Sequence, residues 1–440
     1  LLKNGNLETT GFDKYEGLGL RFLYKNKLGF ISTNELNKTK IMQLLEKSIR
    51  TTNNNKIAEK ISLSSEKTYN KKYEVKQKIK LEDIDITEKI NFLKESEKAI
   101  KDSKVNVPSR ILVYNDNDTT EYLTTSEGTK ITARVPKINF FYILSIEENN
   151  RLLQRNWTFG KSGGWEQIKN FNIYNKFKTE VTSLSNVLKK GIKTPQGNFP
   201  IICGPEVVGI MVHESCGHPM EADRILGREA AQAGESFITK NSLGKKIGTE
   251  QVTIVDDSTI ENSYGFLLYD NEGVKCQKKY LYKKGKINEF LHNRETAAAL
   301  NLKNNGSSRA CDYDKESIVR MSNTFMLPGK FKEEELFESV KLGVYMKNFT
   351  QWNIDDKRLN QKYTGAEAYL IENGEITKPV INPIIEVSSK RLYHAVDAVA
   401  NNFELHAGNC GKGEPQQGIP VTFGGPSIRL KGLRIKWQQK

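Results

Sequence analysis

Ile201-Ile202-Cys203-Gly204-Pro205-Glu206-Val207-Val208-Gly209-Ile210-Met211-Val212-His213-Glu214-Ser215-Cys216-Gly217-His218 reads as a short strand, a turn and a helix that ends in chemistry. Pro205 falls at a first-turn position, where its missing N–H costs a helix nothing. An apolar run from Val207 to Val212 then delivers two imidazoles and a carboxylate within six residues. Zinc sites use neutral nitrogen ligands beside a carboxylate that can take a proton from water. The spacing is unusual. Zincins place their histidines four residues apart on one helix face, whereas His213 and His218 are five apart. On an ideal helix, five steps of roughly 100° leave the rings about 140° apart. Either the turn is widened, or the pair holds no metal.

The neighbouring residues favour a widened turn. Pro219 has no N–H for the carbonyl of Ser215 and disfavours helical geometry at His218. Gly217 is expected to supply backbone freedom. A wide turn through Ser215 to Pro219 would bring His218 round to face His213, and such bulges concentrate at functional sites.

Working outward, the sequence divides at Lys193-Thr194-Pro195-Gln196-Gly197-Asn198, proline and glycine among polar residues. The expectation is two α+β domains, 1–195 and 196–440, the second rich in antiparallel strands around the motif helix. Before the division, Gly17–Tyr24 and Leu28–Ile31 predict a hairpin turning at Lys25-Asn26-Lys27. Ile41, Leu44, Leu45 and Ile49 predict a helix. A second helix starts at Asp85, whose spacing to Glu88 is that of a capping box. Strands follow at Ile111–Tyr114, Glu121–Thr124 and Lys130–Ile146, the last split by Pro136. A third helix carries Val181, Leu184, Val187 and Leu188 and stops near Gly191. Beyond the motif, Lys284-Gly285 and Asn373-Gly374 predict hairpin turns.

The chain has 440 residues, 37% hydrophobic and 9% aromatic, enough for a sizeable core. No stretch approaches the ~20 apolar residues of a membrane span. Five cysteines without a C-x-x-C pair predict a reducing, cytoplasmic setting. The net charge of +14 admits a nucleic-acid-associated regulatory protein as the rival reading. The lysines are scattered, however, with no basic-aromatic recognition pattern, so nucleic acid is not expected as a partner.

A catalytic zinc needs a third protein ligand. His292, His394, His406 and the five cysteines are the candidates. Cys410 stands out because glycines flank it in Gly408-Asn409-Cys410-Gly411-Lys412-Gly413, where backbone can approach an ion closely. Cys216 leaves the helix at a different angle and reads as packing. His213-Glu214-x-x-x-His218, with Glu221 and Asp223 after it, resembles the HExxxH segment of the TldD/PmbA family of metallopeptidases. Arg320–Thr324, Leu327-Pro328-Gly329, Glu367–Gly374 and Cys410-Gly411-Lys412 resemble that family in the same order, as does Gly163–Glu166 earlier. The resemblance implies zinc on His213, His218 and Cys410, with Glu214 as the catalytic base acting on flexible peptides. It also implies a dimer, of identical chains or with a motif-lacking relative. Pro219 and Thr350-Gln351-Trp352-Asn353 depart from the family pattern.

Other signals are weaker. Asp256-Asp257 reads as a strand-end turn before a second metal site. Glu221 and Asp223 are candidate supports for the histidines. Arg320 would either orient a substrate carbonyl or form a structural ion pair.

Overall fold

The computed structural model describes residues 1–54, 60–228 and 235–437. The fold is α+β, with helices set against mostly antiparallel sheets. Leu18–Tyr24 and Lys27–Thr33 pair as the expected hairpin. Its turn residues Lys25 and Asn26 both have left-handed backbone, the conformation a two-residue turn needs to match strand twist. The helix Lys38–Asn54 follows.

The helices Ile86–Asp102 and Ile173–Lys190 cover a sheet in which Lys137–Glu148 lies between Ser109–Asn117 and the edge strand Arg151–Ser162. Leu93, Ile100, Phe140, Tyr142, Phe177, Val181 and Leu184 are buried between them. Each such side chain removed from water contributes about 1.5–3 kcal/mol. Asp85 caps its helix, accepting the Thr87 N–H at 2.7 Å. Glu88 does not close the expected box. Its carboxylate instead accepts the indole N–H of Trp165 at 2.9 Å, a buried donor that needs an acceptor. Pro136 separates Lys130–Arg134 from Lys137–Glu148 as its missing donor requires.

The segment at 193–198 is fastened at both ends. Ile192–Lys193 runs parallel to Val380–Ile381, and Gly197–Asn198 pairs with Arg434–Ile435. Beyond it, the described residues form three larger sheets. The six-stranded one runs Lys286–Ile287, Lys279–Lys283, Ile254–Asp256, Asn323–Met326, Gln417–Gly425, Glu404–Lys412. The motif helix, Pro205–Val212, lies on this sheet. Gly209 makes that possible, since a Cβ there would come within 3.0 Å of the Gly424 backbone. A five-stranded sheet ends in the hairpin Phe349–Ile354/Asn360–Gly365, with Phe349–Ile354 at its edge. Trp157 joins the two halves of the core, its ring meeting Phe349 at 5.8 Å and Phe423 at 5.9 Å.

Candidate metal centre

The motif helix ends as a π-helical turn over His213–Gly217, in which the His218 N–H reaches the carbonyl of His213. The extra residue in the turn brings the two rings together, with centroids 5.0 Å apart and planes at 83°. Pro219 leaves the Ser215 carbonyl without its helical donor, and the hydroxyl of Tyr282 donates to it at 3.4 Å. Gly217 has ordinary right-handed backbone, φ −54° and ψ −65°. Its role is therefore space rather than freedom. A Cβ at Gly217 would sit 1.8 Å from the sulfur of Met321.

Cys410 comes to this turn from the strand Glu404–Lys412, its Sγ 3.4 Å from Nε2 of His218. The candidate ligand atoms of His213, His218 and Cys410 lie within 4.8 Å of one another, and all three residues are buried. Burial pushes the Cys410 thiol up, but the charges of His218, Arg320 and His213 outweigh it and hold the thiol well below its ordinary value. Cys216, within the π-turn itself, is driven well above that value by burial and meets Tyr282 instead. A thiolate beside two imidazoles is a zinc donor set. Nδ1 of His213 is buried without a hydrogen-bond partner among the described residues, the kind of atom that an ion satisfies. The residues fit the metal.

Behind the ligand candidates stands a buried charge cluster. Glu221 accepts from His218 Nδ1 at 3.0 Å and from Arg224 Nε at 3.1 Å. Lys412, two residues beyond Cys410 on the same strand face, reaches Glu221 at 3.2 Å and Asp223 at 2.7 Å. Burial would raise the Glu221 carboxyl, but Lys412 and His218 bring it well below the usual range. A carboxylate on the far nitrogen of a ligating histidine fixes its tautomer and ring orientation. Arg320 does neither of the jobs expected of it. Fully buried, it donates to the backbone carbonyls of Cys410 and Gln417, which fixes the Cys410 strand.

The remaining histidines are engaged elsewhere. His292 meets the Thr296 hydroxyl at 3.2 Å, and His394 the Lys390 carbonyl at 2.8 Å. His406 lies edge-on to Trp157 at 5.2 Å. Asp256 is bound by Lys279 at 2.9 Å and Asp257 caps Thr259, so this pair is a strand end. The sequence gives no reason to place two further residues beside Glu214. Glu214, itself buried, accepts from Trp352 Nε1 at 3.2 Å and from Arg358 Nη1 at 3.0 Å. Trp352 belongs to the stretch that departs from the family pattern. Arg358 sits in the polar turn that follows the strand Phe349–Ile354.

Family models described as PmbA/TldA metallopeptidase match nearly end to end: domain 1 over residues 1–52, the central domain over 79–183, the C-terminal domain over 196–436. The chain belongs to the PmbA/TldD family. A metalloprotease of Methanocaldococcus jannaschii is 33% identical over 430 residues, covering 97% of this chain and 92% of its own. A zinc metalloprotease TldD homolog of Saccharolobus solfataricus is 33% identical over 247 residues, 56% of this chain and 53% of its own. TldE from Thermococcus kodakarensis shares the PmbA/TldD fold with a TM-score of 0.71 at 16% identity, over 94% of this chain and 88% of that one. Among the described residues, no helix is long and apolar enough to cross a membrane.

Proposed function

We propose that this chain is a zinc-dependent peptidase acting on flexible peptides, with His213, His218 and Cys410 as the metal ligands and Glu214 as the general base. The observation that carries this reading is the convergence of Cys410 on a π-turn that pairs His213 with His218 beside Glu214. Bound zinc would supply Lewis acidity, polarising the scissile carbonyl and acidifying a water molecule. The thiolate donates more charge than a third imidazole, which moderates that acidity. Glu214 takes the proton of the attacking water and passes it to the leaving amine. Glu221 holds the His218 ring through Nδ1, and the buried positions of Glu214 and both histidines keep bulk water from the reacting groups.

A peptide would add to Phe349–Ile354 on the side that pairs with no described strand, the edge that carries Trp352 beside Glu214. Strand addition takes its affinity from backbone hydrogen bonds, so it suits unstructured segments of varied sequence. All five cysteines are unpaired, which supports a reducing, cytoplasmic setting. The dimer, with an identical chain or a motif-lacking relative, is part of the same proposal.

The test is cleavage of an unstructured peptide by zinc-loaded protein. Glu214→Gln is expected to lower kcat/KM by about 10²–10⁴-fold with zinc still bound. Cleavage that survives this substitution, or that survives chelation, would end the proposal.

A further inference from the structure

The carboxylate of Glu214 is gripped from one hairpin. Trp352, on the strand Phe349–Ile354, takes Oε1, and Arg358, in the turn before Asn360–Gly365, takes Oε2. The turn is built around the arginine. Arg358 has a φ of +61°, left-handed backbone that a side-chain-bearing residue seldom adopts and that a surrounding structure must hold in place. Asp355 holds it on one side. Its carbonyl accepts the Arg358 N–H at 2.9 Å, and its carboxylate accepts the N–H groups of Leu359 at 2.7 Å and Asn360 at 3.0 Å. Ser389 holds it on the other, donating its hydroxyl to the Arg358 carbonyl at 2.8 Å.

The guanidinium so placed has more donors than this structure uses. Nη1 serves Glu214, while Nε is buried with no acceptor among the described residues. The side chain is 14% exposed, so it is neither sunk in the core nor free on the surface. Strain, a dedicated turn and a surplus buried donor thus meet beside the base. During hydrolysis the negative charge moves. Glu214 loses it on taking a proton from water, and the carbonyl oxygen gains it. A guanidinium that touches both keeps an anionic partner throughout.

We infer that Arg358 is a catalytic residue, donating from its fork to the oxygen of the scissile carbonyl as that oxygen becomes anionic, while Trp352 keeps Glu214 in place. This rests on the peptidase reading above. The water oxygen bonds to the carbonyl carbon, the π pair moves to the carbonyl oxygen, and the proton goes to Glu214. On collapse the pair returns, the C–N bond breaks, and Glu214 gives the proton to the departing nitrogen. Arg358 donates hydrogen bonds throughout and transfers no proton.

The experiment uses the full zinc-loaded chain with one peptide made both as C-terminal acid and as amide, together with its phosphinic analogue, a tetrahedral anion. Arg358→Gly tolerates the left-handed backbone, and Arg358→Lys keeps the charge but loses the fork. Both are expected to bind zinc normally and to lower kcat about 100-fold, with KM changed less than about 2-fold. The loss should be equal on acid and amide, should match a similar loss of phosphinate affinity, and should be partly restored by added guanidinium ion in Arg358→Gly. An active wild type with unchanged or faster variants overturns the inference alone, because Arg358 would then only restrain Glu214. A loss confined to KM on the free acid also overturns it, in favour of a reader of the peptide C-terminus. A zinc-loaded wild type inert toward peptides overturns the peptidase reading and this inference with it.

Discussion

Sγ of Cys410 lies 3.4 Å from Nε2 of His218, although 192 residues separate them in the chain. The strand Glu404–Lys412 sets this distance, with Arg320 gripping the carbonyl of Cys410 from behind. A thiol buried in apolar surroundings resists ionisation, and here the two histidines and Arg320 reverse that tendency. Cys410→Ala is therefore expected to weaken zinc binding by well over about 100-fold, since loss of a mere supporting contact already costs about 10–100-fold. Metal analysis after gel filtration checks this. Zinc retained at one equivalent would sink the three-ligand site.

Glu221 sits one contact further out, on Nδ1 of His218. Glu221→Gln keeps the shape but removes the charge that Lys412 and Arg224 share. Zinc affinity should fall by about 10–100-fold, measured by competition with a chromogenic chelator. Unaltered affinity would mean that Glu221 serves the charge cluster and not the histidine.

The motif and its widened turn were legible because the causes are local. Pro219 removes a donor at a definite position, and the five-residue histidine spacing admits few geometries. The hairpin at Lys25-Asn26 and the break at Pro136 were legible for the same reason. Gly217 was misread because its purpose is set by Met321, more than 100 residues away, and no local pattern carries that contact. Arg320 misled in the same manner, its partners being backbone carbonyls at 410 and 417. The meeting of Trp352 and Arg358 with Glu214 is illegible for a different reason. They lie on one hairpin far along the chain from Glu214, and only the folding of its sheet brings them to it.

Gly217→Ala tests the reading of Gly217 as a matter of space. Met321 is fully buried, and the added methyl would fall inside its sulfur's contact radius. Overpacking of this kind costs about 1–3 kcal/mol. In a Met321→Ala background the same substitution should cost far less, giving a coupling of about 2 kcal/mol in a double-mutant cycle from urea unfolding. Additive costs would show that the glycine is needed for backbone conformation after all.

Arg155 reaches from the strand Arg151–Ser162 to Glu206, in the first turn of the motif helix, with Nη2 2.8 Å from its carboxylate. The same guanidinium holds Glu180 at 2.7 Å, so one cation serves two acids. Burial pushes the Glu206 carboxyl up to about 7 from an ordinary 4.5, with Glu180 adding to the rise and Arg155 opposing it. The folded state thus holds a proton that the unfolded chain has already released between these values. Stability from this group is complete below pH 4.5 and is lost as pH rises through about 7. At about 1.4 kcal/mol per unit, the loss is of order 3 kcal/mol. Urea midpoints of metal-free protein from pH 5 to 8 should fall in the wild type relative to Glu206→Gln, whose amide cannot titrate. Parallel curves for the two proteins would show that Glu206 is ionised in the fold throughout, with Arg155 able to neutralise both acids.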